Sequence, residues 1–489
     1  MTENVRLRFA PSPTGEPHIG NMHSALFAWL YARRHGGKFI VRIEDTDQER
    51  TVPGAVDAIL EGLRWLNIGW DEGPLLGGPY GPYVQSERLA TYQEMAERLI
   101  RQGDGYRCYC SRERLDEMRR QPERRDQAPG YDGRCRYLSG RRRQDMEAEG
   151  GPSVVRFAMP TSGTTWVHDL IHGDVEFSNE LLDDFIILKS DGFPTYHLAS
   201  VVDDHLMEIS HVLRADEWLP STPRHLQIYS ALGFAPPKFG HLPILLGPDR
   251  EKLSKRHGAA SVLEYRDLGY VPEAVLNFMA LLGWSLDDRT EIMSAETLKE
   301  NFSLERVNGS PAVFDQEKLL WMNGLYIRQL TEENLADRLS IFLERDLPGE
   351  LLPVDRDYLL RIVPLIQERI KLLSEAAEIT SYFFHENVDY DPADLVQRGM
   401  DQQSTLMAIR LSKDELLSVP VFDHQQLEVS LRAVGSDLGL AARQFFGTLR
   451  VAITGRTASP PLFEIMEVLG RERVLGRLEF AVEQLSSST

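Results

Sequence analysis

Apolar residues at regular spacing predict a strand, a helix and a second strand at the start of the chain. Apolar and polar side chains alternate over residues 5–10, as in a strand that enters a sheet. Residues 22–34 carry one apolar face at helical spacing, and the helix ends at Gly36-Gly37. Residues 38–43 predict a second strand. This order forms a βαβ unit, so we expect a parallel sheet with a binding site at the carboxyl ends of its strands.

The middle of the chain alternates between helix and strand patterns. Amphipathic helices are predicted over residues 56–66, 89–102 and 222–232. Short strand patterns occur over residues 154–157, 165–167 and 185–188. These short strands indicate a separate α+β insertion. Buried strands that end in polar groups, and that return the chain to the parallel sheet, are predicted over residues 201–205 and 209–214.

From about Leu330 the strand patterns fade and helical patterns dominate. Apolar residues at helical spacing predict helices over residues 334–344, 358–375 and 462–485. Pro364 should kink the second of these helices, because proline removes a backbone donor and clashes with the preceding turn. The chain is therefore expected to combine an α/β part with an all-α part.

Length and cysteine content narrow the class of protein. A chain of 489 residues is too long for one hydrophobic core, so several domains are expected. No run is long and apolar enough to span a bilayer, and the N-terminus lacks the apolar core of a signal peptide. Three cysteines cannot form a closed disulfide framework. We therefore expect a cytoplasmic protein with no membrane partner.

The charge distribution contains one strongly basic region. The net charge of −20 argues against a protein that coats nucleic acid non-specifically, although a local patch can still bind a specific partner. Eleven arginines lie between residues 112 and 143: Arg112, Arg114, Arg119, Arg120, Arg124, Arg125, Arg134, Arg136, Arg141, Arg142 and Arg143. They form either a nucleic-acid contact or a solvated helix face with interspersed acidic residues.

The turn over residues 11–21, between the first strand and the first helix, is suited to binding phosphate. A helix N-terminus offers free N–H groups and a positive dipole end. Gly20 lets a ligand approach the backbone, and His18 can donate a hydrogen bond to an anion. The alternative is an ordinary turn with a surface histidine. A second loop, over residues 252–258, contains two lysines, a serine and an arginine, and the two elements together favour a phosphate clamp.

Arg8 and Glu44 should lie near the same edge of the predicted sheet. Arginine can hold a carboxylate through two parallel hydrogen bonds, and glutamate can hold an ammonium group. The pair suggests an amino-acid pocket, and a purely structural Arg–Glu pair is the alternative.

All three cysteines, Cys108, Cys110 and Cys135, fall in one region. Two cysteines that flank a single residue, with a third downstream, could hold zinc together with a fourth ligand. Tyr131 and Tyr137 are the nearby candidates, and tyrosine is a poor zinc ligand. The alternative is a vestigial or metal-free site.

Several motifs resemble one family. PSPTGEPHIGN resembles the HIGH signature of class I aminoacyl-tRNA synthetases, and KLSKR resembles their KMSKS loop. RFAPSPTG, FIVRIEDTD, YHLASVVDDHLM, VLRADEWL and WMNG are similar to bacterial-type glutamyl-tRNA synthetases. The resemblance runs from Arg6 to about Leu485. It implies a Rossmann-type parallel-sheet catalytic domain with an α+β insertion, followed by helical anticodon-binding domains.

The resemblance also implies a division of the chain into five segments. The catalytic domain would occupy residues 1–83 and 196–240, interrupted by an acceptor-stem-binding insertion over residues 84–195. A stem-contact domain with the KLSKR loop would follow over residues 241–328. A helical anticodon-binding region would span residues 329–489, with a boundary between two subdomains near residue 390.

Roles for individual residues follow from the same resemblance. Arg8 would pair with the side-chain carboxylate of glutamate. The amino-acid pocket would be completed by Ala10, Ser12, Glu44, Tyr196 and Arg214. ATP would be bound by His18, Gly20, Glu217, Leu245, Lys252, Ser254 and Lys255, of which His18 and Lys255 would be catalytic. Arg369 resembles an arginine that the family uses near the anticodon. Zinc would be held by Cys108, Cys110, Tyr131 and Cys135.

The implied activity is ATP-dependent attachment of L-glutamate to the 3′ end of tRNA-Glu through a glutamyl-adenylate, with release of AMP and diphosphate. ATP would carry Mg²⁺, and a monomer is expected. Whether tRNA-Gln is also charged is left open. The chain departs from the family pattern at Asn21, which replaces the last histidine of the signature, and at Tyr137, where zinc-bearing members have histidine.

Four alternatives are set against this activity. Glutaminyl-tRNA synthetase would need a β-barrel second half, and a shorter relative that glutamylates a tRNA base lacks that half altogether. The others are an inactive tRNA-binding paralogue and a small-molecule nucleotidyltransferase, which would not explain the arginine-rich insertion.

Overall fold

The structure is a computed structural model that describes residues 4–120, 131–253 and 261–487. The chain forms two compact units. Unit 1 comprises Met1–Arg266 and Pro272–Gln316, and unit 2 comprises Asp267–Val271 and Glu317–Thr489. The expected combination of an α/β part and an all-α part is confirmed.

A six-stranded sheet organises unit 1. In spatial order its strands are β2 (Lys38–Val41), β1 (Arg6–Phe9), β8 (His211–Ala215), β9 (Lys238–Leu242), β5 (Thr164–Asp169) and β6 (Gly173–Ser178). Every neighbouring pair is parallel except β5 with β6. Helix α1 (Ile19–Arg34) joins β1 to β2, which confirms the predicted βαβ unit. The carboxyl ends of β1, β8 and β9 therefore lie at one edge of the sheet.

The region predicted as a separate α+β insertion is divided between two sheets. Strands β3 (Gly105–Cys108), β4 (Val154–Phe157) and β7 (Ile186–Leu188) form an antiparallel sheet of their own. The β5–β6 hairpin instead extends the large sheet, where the Leu170 N–H donates to the carbonyl of Phe239 at 2.8 Å. A short strand pattern in the sequence predicted β5. The residues of β5 are alternately exposed and buried, but a pattern within one strand does not indicate the partner strand.

The strand predicted over residues 201–205 is wrong. These residues lie in helix α6 (Tyr196–Leu206), whose residues from Leu198 to Asp204 are all buried. A short apolar run that is buried on all sides has no periodicity that separates a strand from a helix. The next predicted strand is confirmed as β8, although it begins at His211 and ends at Ala215.

The remaining elements of unit 1 surround these sheets. A two-stranded parallel sheet is formed by β10 (Leu245–Leu246) and β11 (Ala312–Val313). The helices are α2 (Ala55–Trp65), α3 (Leu89–Gln102), α4 (Arg112–Arg120), α5 (Gly140–Ala148), α7 (Thr222–Leu232), α8 (Val262–Asp267), α9 (Pro272–Leu281) and α10 (Ala295–Asn301). The predicted helices over 56–66, 89–102 and 222–232 are confirmed to within one residue at each end.

Unit 2 is built from helices. They are α11 (Gln316–Gln329), α12 (Glu332–Asp346), α13 (Arg356–Ile366), α14 (Ala376–Phe384), α15 (Pro392–Leu395), α16 (Gln402–Ser418), α17 (His424–Asp437), α18 (Ala442–Thr454), α19 (Leu462–Leu469) and α20 (Arg471–Ser487). None of the helices in the described part of the chain is both long and apolar enough to cross a bilayer.

Two of the long helices predicted for unit 2 are interrupted. The helix predicted over 358–375 ends at Ile366, two residues after Pro364, rather than kinking and continuing. The Glu375 carboxylate then accepts the N–H of Lys371 at 2.7 Å, just before α14 begins. The helix predicted over 462–485 is split at Gly470, whose φ of +81° is left-handed and ends α19.

Candidate active site

A cleft of about 1130 Å³ opens at the carboxyl ends of β1, β8 and β9. The turn that follows β1 forms one wall, and the segments that follow β8 and β9 form another. The cleft brings together most of the side chains to which the sequence assigned a role. Those among its lining residues are Arg8, Ala10, Ser12, His18, Gly20, Glu44, Tyr196, Arg214, Glu217, Leu245 and Lys252.

His18 caps the N-terminus of α1. Its Nδ1 accepts the N–H of Asn21 at 3.4 Å, so a neutral ring carries its proton on Nε2 and can donate it into the cleft. Partial desolvation by the cleft walls lowers the pKa of His18, and Lys252 adds to this effect. Neutral His18 and the positive dipole end of α1 form a site suited to an anion.

Gly20 has a second role beyond ligand access. A Cβ at this position would lie 3.1 Å from both Cε1 and Nδ1 of His18, which is tighter than ordinary van der Waals contact. The missing side chain therefore leaves room for the imidazole in its capping position.

The described ATP-binding candidates beyond the turn lie after β8 (Glu217), in β10 (Leu245) and in the segment that follows β10 (Lys252). Leu245 is buried at the start of β10, and its carbonyl accepts the N–H of Leu253 at 2.8 Å. Lys252 forms an ion pair with Glu217 across the cleft. Ser254 and Lys255 lie outside the described residues, so their assignment remains a prediction from the sequence.

Arg8 is buried and points its guanidinium into the cleft wall. Its Nε donates to Asp204 Oδ1 at 3.0 Å. Within residues 4–120, 131–253 and 261–487, Nη1 and Nη2 of Arg8 have no hydrogen-bond partner. Two parallel donors on a buried guanidinium match the geometry of a carboxylate.

A balanced network of buried charge supports Arg8. Asp204 Oδ1 also accepts from Arg42 Nη1 at 2.8 Å. Burial alone would raise the pKa of Asp204, but Arg8 and Arg42 hold it below its usual range. The network contains three cations and three anions, all buried: Arg8, Arg42, Arg88, Glu44, Asp203 and Asp204.

Glu44 faces the cleft from the end of this network. Its Oε1 accepts from Arg42 Nη2 at 2.9 Å, which fixes the carboxylate next to Arg8. Burial raises the pKa of Glu44, against the opposing effects of Arg42 and Arg8. The predicted Arg8 and Glu44 therefore share one site, and Arg42, not Arg8, is the partner in the structural Arg–Glu pair.

Tyr196 and Arg214 also line the cleft. Arg214 Nη1 donates to the Tyr196 hydroxyl at 2.8 Å. The Tyr196 ring packs against Trp218, with 4.5 Å between the ring centroids. Ala10, directly after β1, and Ser12, in the turn, also line the cleft.

Sequence reasoning did not predict a role for Arg42, Asp203 or Asp204. Arg42 interrupts an apolar strand, and the two aspartates follow Val201-Val202 directly. A charged side chain within an apolar run is a signal of buried, paired charge, because an unpaired charge is too costly to bury. That signal was visible in the sequence.

The three cysteines do meet in the structure. Their sulfur atoms lie within 4.8 Å of one another. The Tyr131 hydroxyl lies 3.4 Å from Cys108 Sγ and 3.6 Å from Cys110 Sγ, and it accepts the N–H of Cys135. Three thiols suit zinc, whereas Tyr131 is a weak fourth donor because burial raises the pKa of its hydroxyl. Tyr137 is largely exposed.

The arginine cluster is only partly neutralised. Arg114 pairs with Asp132, and Arg136 pairs with Asp184 at 3.0 Å. Exposed arginines at the start of α5 are Arg141, Arg142 and Arg143. Arg124 and Arg125 lie outside the described residues, as do the side chains of Arg119 and Arg120.

Arg369 is exposed in unit 2. Its positive charge contributes, after burial, to a lowered pKa of Arg450, so the two guanidinium groups lie near each other.

Comparison with known proteins assigns the family. The model of tRNA synthetases class I (E and Q), catalytic domain, matches residues 4–321, and an anticodon binding domain matches residues 334–482. The chain therefore belongs to the class I tRNA synthetases of the E and Q group, as the motifs indicated. Together these matches also confirm the predicted fold class.

Proteins that are similar to this chain over nearly its whole length include enzymes named glutamate--tRNA ligase. A glutamate--tRNA ligase of Dehalococcoides mccartyi is 53% identical over 490 residues, covering 99% of each chain. One from Moorella thermoacetica is 46% identical, covering 98% of each. A solved glutamate tRNA ligase of Elizabethkingia meningosepticum, in complex with its amino acid, has a TM-score of 0.89 and 33% identity, covering 99% of this chain and 100% of that one.

Proposed function

We propose that the protein attaches L-glutamate to the 3′ end of tRNA-Glu, using ATP and passing through a glutamyl-adenylate, with release of AMP and diphosphate. The observation that carries this proposal is the buried Arg8, whose two Nη groups are available in the cleft beside Glu44. The full-length relatives named glutamate--tRNA ligase support it.

The amino-acid pocket is proposed to hold glutamate at both ends. Arg8 pairs with the side-chain carboxylate, and Glu44 holds the α-ammonium group. Tyr196 and Arg214 complete the polar wall, and Ala10 and Ser12 line the remaining side. Glutamine would place its amide NH₂ group, which is a donor, against one of the two Arg8 Nη donors, so it should be rejected.

ATP is proposed to bind at the helix mouth. His18 and the first turn of α1 contact the phosphates, and Glu217 and Leu245 lie near the adenosine. Lys252, Ser254 and Lys255 hold the triphosphate, whose counter-ion is Mg²⁺. The glutamate α-carboxylate attacks the α-phosphorus, and a ribose hydroxyl of the tRNA then takes the acyl group. No protein nucleophile is needed, because the residues act by alignment and by stabilising the charge that develops on phosphate.

The tRNA contacts are proposed from the domain assignment. Residues 1–83 and 196–240 form the catalytic domain, and residues 84–195, with the arginine cluster, contact the acceptor stem. Residues 241–328 contact the stem, and residues 329–489 bind the anticodon, with Arg369 as one contact. The absence of any strand among the described residues of unit 2 disfavours a glutaminyl enzyme with a β-barrel second half.

Zinc binding, a monomeric state and a cytoplasmic location are further parts of the proposal. Cys108, Cys110 and Cys135, whose sulfur atoms lie within 4.8 Å of one another, would supply three thiolates, and Tyr131, whose hydroxyl lies 3.4 Å from Cys108 Sγ, would be the fourth donor. Metal analysis of the purified protein tests the site directly. One equivalent of zinc, lost in a Cys110→Ser variant, is expected, and a metal-free wild-type protein would contradict it.

The experiment that tests the activity measures charging of purified tRNA-Glu and tRNA-Gln with labelled glutamate and ATP. Charging of tRNA-Glu alone defines a discriminating enzyme, and charging of both defines one whose Glu-tRNA-Gln must be corrected by amidation. Charging of neither tRNA, with tRNA binding intact, would replace this proposal with an inactive tRNA-binding paralogue.

A further inference from the structure

Arg214 is held by a set of hydrogen bonds that lies behind the cleft. Its Nη1 donates to Tyr196, and its Nη2 donates to Thr222 Oγ1 at 2.7 Å. Its Nε donates to His241 Nε2 at 3.0 Å. The guanidinium is therefore fixed on three sides, and two of those bonds come from residues outside the cleft lining.

The bond to Arg214 determines which nitrogen of His241 carries the proton. A guanidinium N–H is only a donor, so Nε2 of His241 must accept. Burial lowers the pKa of His241, so the ring is neutral at pH 7 and its proton is on Nδ1. That N–H donates to Asp169 Oδ2 at 2.6 Å, and neither side chain is exposed to solvent.

Asp169 is itself locked in orientation by the backbone. Its other oxygen, Oδ1, accepts the N–H groups of Ile171 at 2.9 Å and His172 at 3.0 Å, and that of His241 at 3.3 Å. Asp169 is the last residue of β5, and His241 lies on the neighbouring β9. Because β5 and β9 are adjacent strands, the hairpin brings the carboxylate to the imidazole.

We propose that Asp169 and His241 are positioning residues that hold the Arg214 guanidinium, and through it Tyr196, in place in the amino-acid pocket. This inference rests on the proposed function, which assigns Arg214 and Tyr196 to glutamate binding. The β5–β6 hairpin thereby contributes to the pocket without touching the substrate.

We call the chain of hydrogen bonds from Asp169 through His241 to Arg214 the relay. An Asp169→Asn variant tests the relay with little change in side-chain shape. The three N–H donors on Oδ1 require the carbonyl oxygen of the amide at that position, so its NH₂ group faces His241 Nδ1. That nitrogen must then accept, and the ring proton moves to Nε2. Nε2–H would then face the Nε–H of Arg214. Thr222 Oγ1, 3.2 Å from Nε2, is the other group there, and it already accepts from Arg214 Nη2, so the guanidinium would be displaced.

The expected result is a selective defect in glutamate binding. Loss of a buried hydrogen bond to a charged group corresponds to a rise of about tenfold or more in KM for glutamate. KM for ATP should stay within about twofold of wild type, because the helix mouth is unchanged. The matched control is Asp174→Asn, on the same hairpin, where His168 Nδ1 lies 2.6 Å from Asp174 Oδ1 in an exposed pair remote from Arg214. The control should have wild-type values of both constants.

Variants at His241 provide a second, independent comparison. His241→Gln can present a carbonyl to Arg214 and an amide N–H to Asp169, whereas His241→Met fills the space with no acceptor. We expect glutamine to retain most of the affinity for glutamate and methionine to raise KM as Asp169→Asn does. Equal, wild-type KM values for glutamate in Asp169→Asn and His241→Met would overturn the relay, as would an equal rise in KM for ATP.

A structural readout separates failure of the relay from failure of the proposed function. In ¹⁵N-histidine-labelled protein, His241 should be protonated on Nδ1 in wild type and on Nε2 in Asp169→Asn. If wild-type protein charges no tRNA with glutamate but the proton moves in this way, the proposed function fails and the relay geometry stands. If the wild-type ring carries its proton on Nε2, the relay is wrong whatever the activity.

Discussion

Asp204→Asn should weaken the fold around the proposed amino-acid pocket by a predictable amount. Both guanidinium bonds to this side chain go to Oδ1, from Arg8 Nε at 3.0 Å and from Arg42 Nη1 at 2.8 Å. An asparagine carbonyl can still accept both bonds. What the substitution removes is one negative charge from a buried network with three charges of each sign.

The positive charge left in excess in the network determines the size of the destabilisation. Breaking a buried ion pair by removing one partner costs about 3–5 kcal/mol, and we expect about 3 kcal/mol here because the hydrogen bonds are retained. Asp204 lies in α6, so the opening free energy of that helix should fall by this amount. Amide hydrogens of α6 should then exchange roughly 150-fold faster.

Hydrogen exchange measured by mass spectrometry is the suitable assay, because a two-unit chain does not unfold in one step. Peptides from α6 report on the network, and peptides from α16 in unit 2 serve as an internal reference. The exposed Asp174→Asn substitution is the external control. Unchanged exchange in α6 of Asp204→Asn, or equal acceleration in α16, would refute the reasoning.

Three further predictions concern the phosphate site and pH. Lys255→Ala should slow adenylate formation by about 100- to 1000-fold, with glutamate binding nearly unchanged in a thermal-shift titration. Gly20→Ala should displace His18 and raise KM for ATP while KM for glutamate holds, as steady-state kinetics can check. Because the pKa of Asp204 is lowered in the folded protein, its carboxylate stabilises the fold at pH values above its unfolded pKa of about 3.9. This stabilisation is lost as the pH falls through the folded pKa. The difference in exchange rate between wild type and Asp204→Asn should therefore shrink only in that acidic range.

A different result would contradict each of these three predictions. Normal single-turnover activation by Lys255→Ala would remove that lysine from the triphosphate site. An unchanged KM for ATP in Gly20→Ala would mean that His18 tolerates the added methyl group. An exchange difference that disappears near neutral pH would mean that Asp204 is not held in its charged form.

The elements that position the site were predictable from local pattern. Period-two alternation and a helical apolar face indicated β1 and α1, and polar groups at their junction indicated the cleft. Helix α6 was not predictable in this way, because Val201 and Val202 are buried on all sides and their spacing fits either a strand or a helix. Asp203 and Asp204 were therefore assigned to a predicted strand, although they lie in a helix.

The supporting contacts of the site depend on pairing between distant segments, which local pattern does not contain. Asp169 and His241 meet because β5 pairs with β9, across 72 residues of chain. Asp204 meets Arg8 across 196 residues. Family motifs indicated the residues that are proposed to face the substrate, whereas the partners of Asp169 and Asp204 became visible only once the sheet order was known.

The most direct test of the central claim is the discrimination between glutamate and glutamine in charging of tRNA-Glu. Wild type should favour glutamate in kcat/KM by a factor on the order of 10⁴, because the amide NH₂ of glutamine would face an Arg8 Nη donor where glutamate offers a carboxylate oxygen. Arg8→Met should abolish most of that preference, and Arg50→Met, which changes an exposed arginine of the same cleft, should not. An Arg8→Met enzyme that kept the wild-type ratio would contradict the assignment of this cleft to the glutamate side chain.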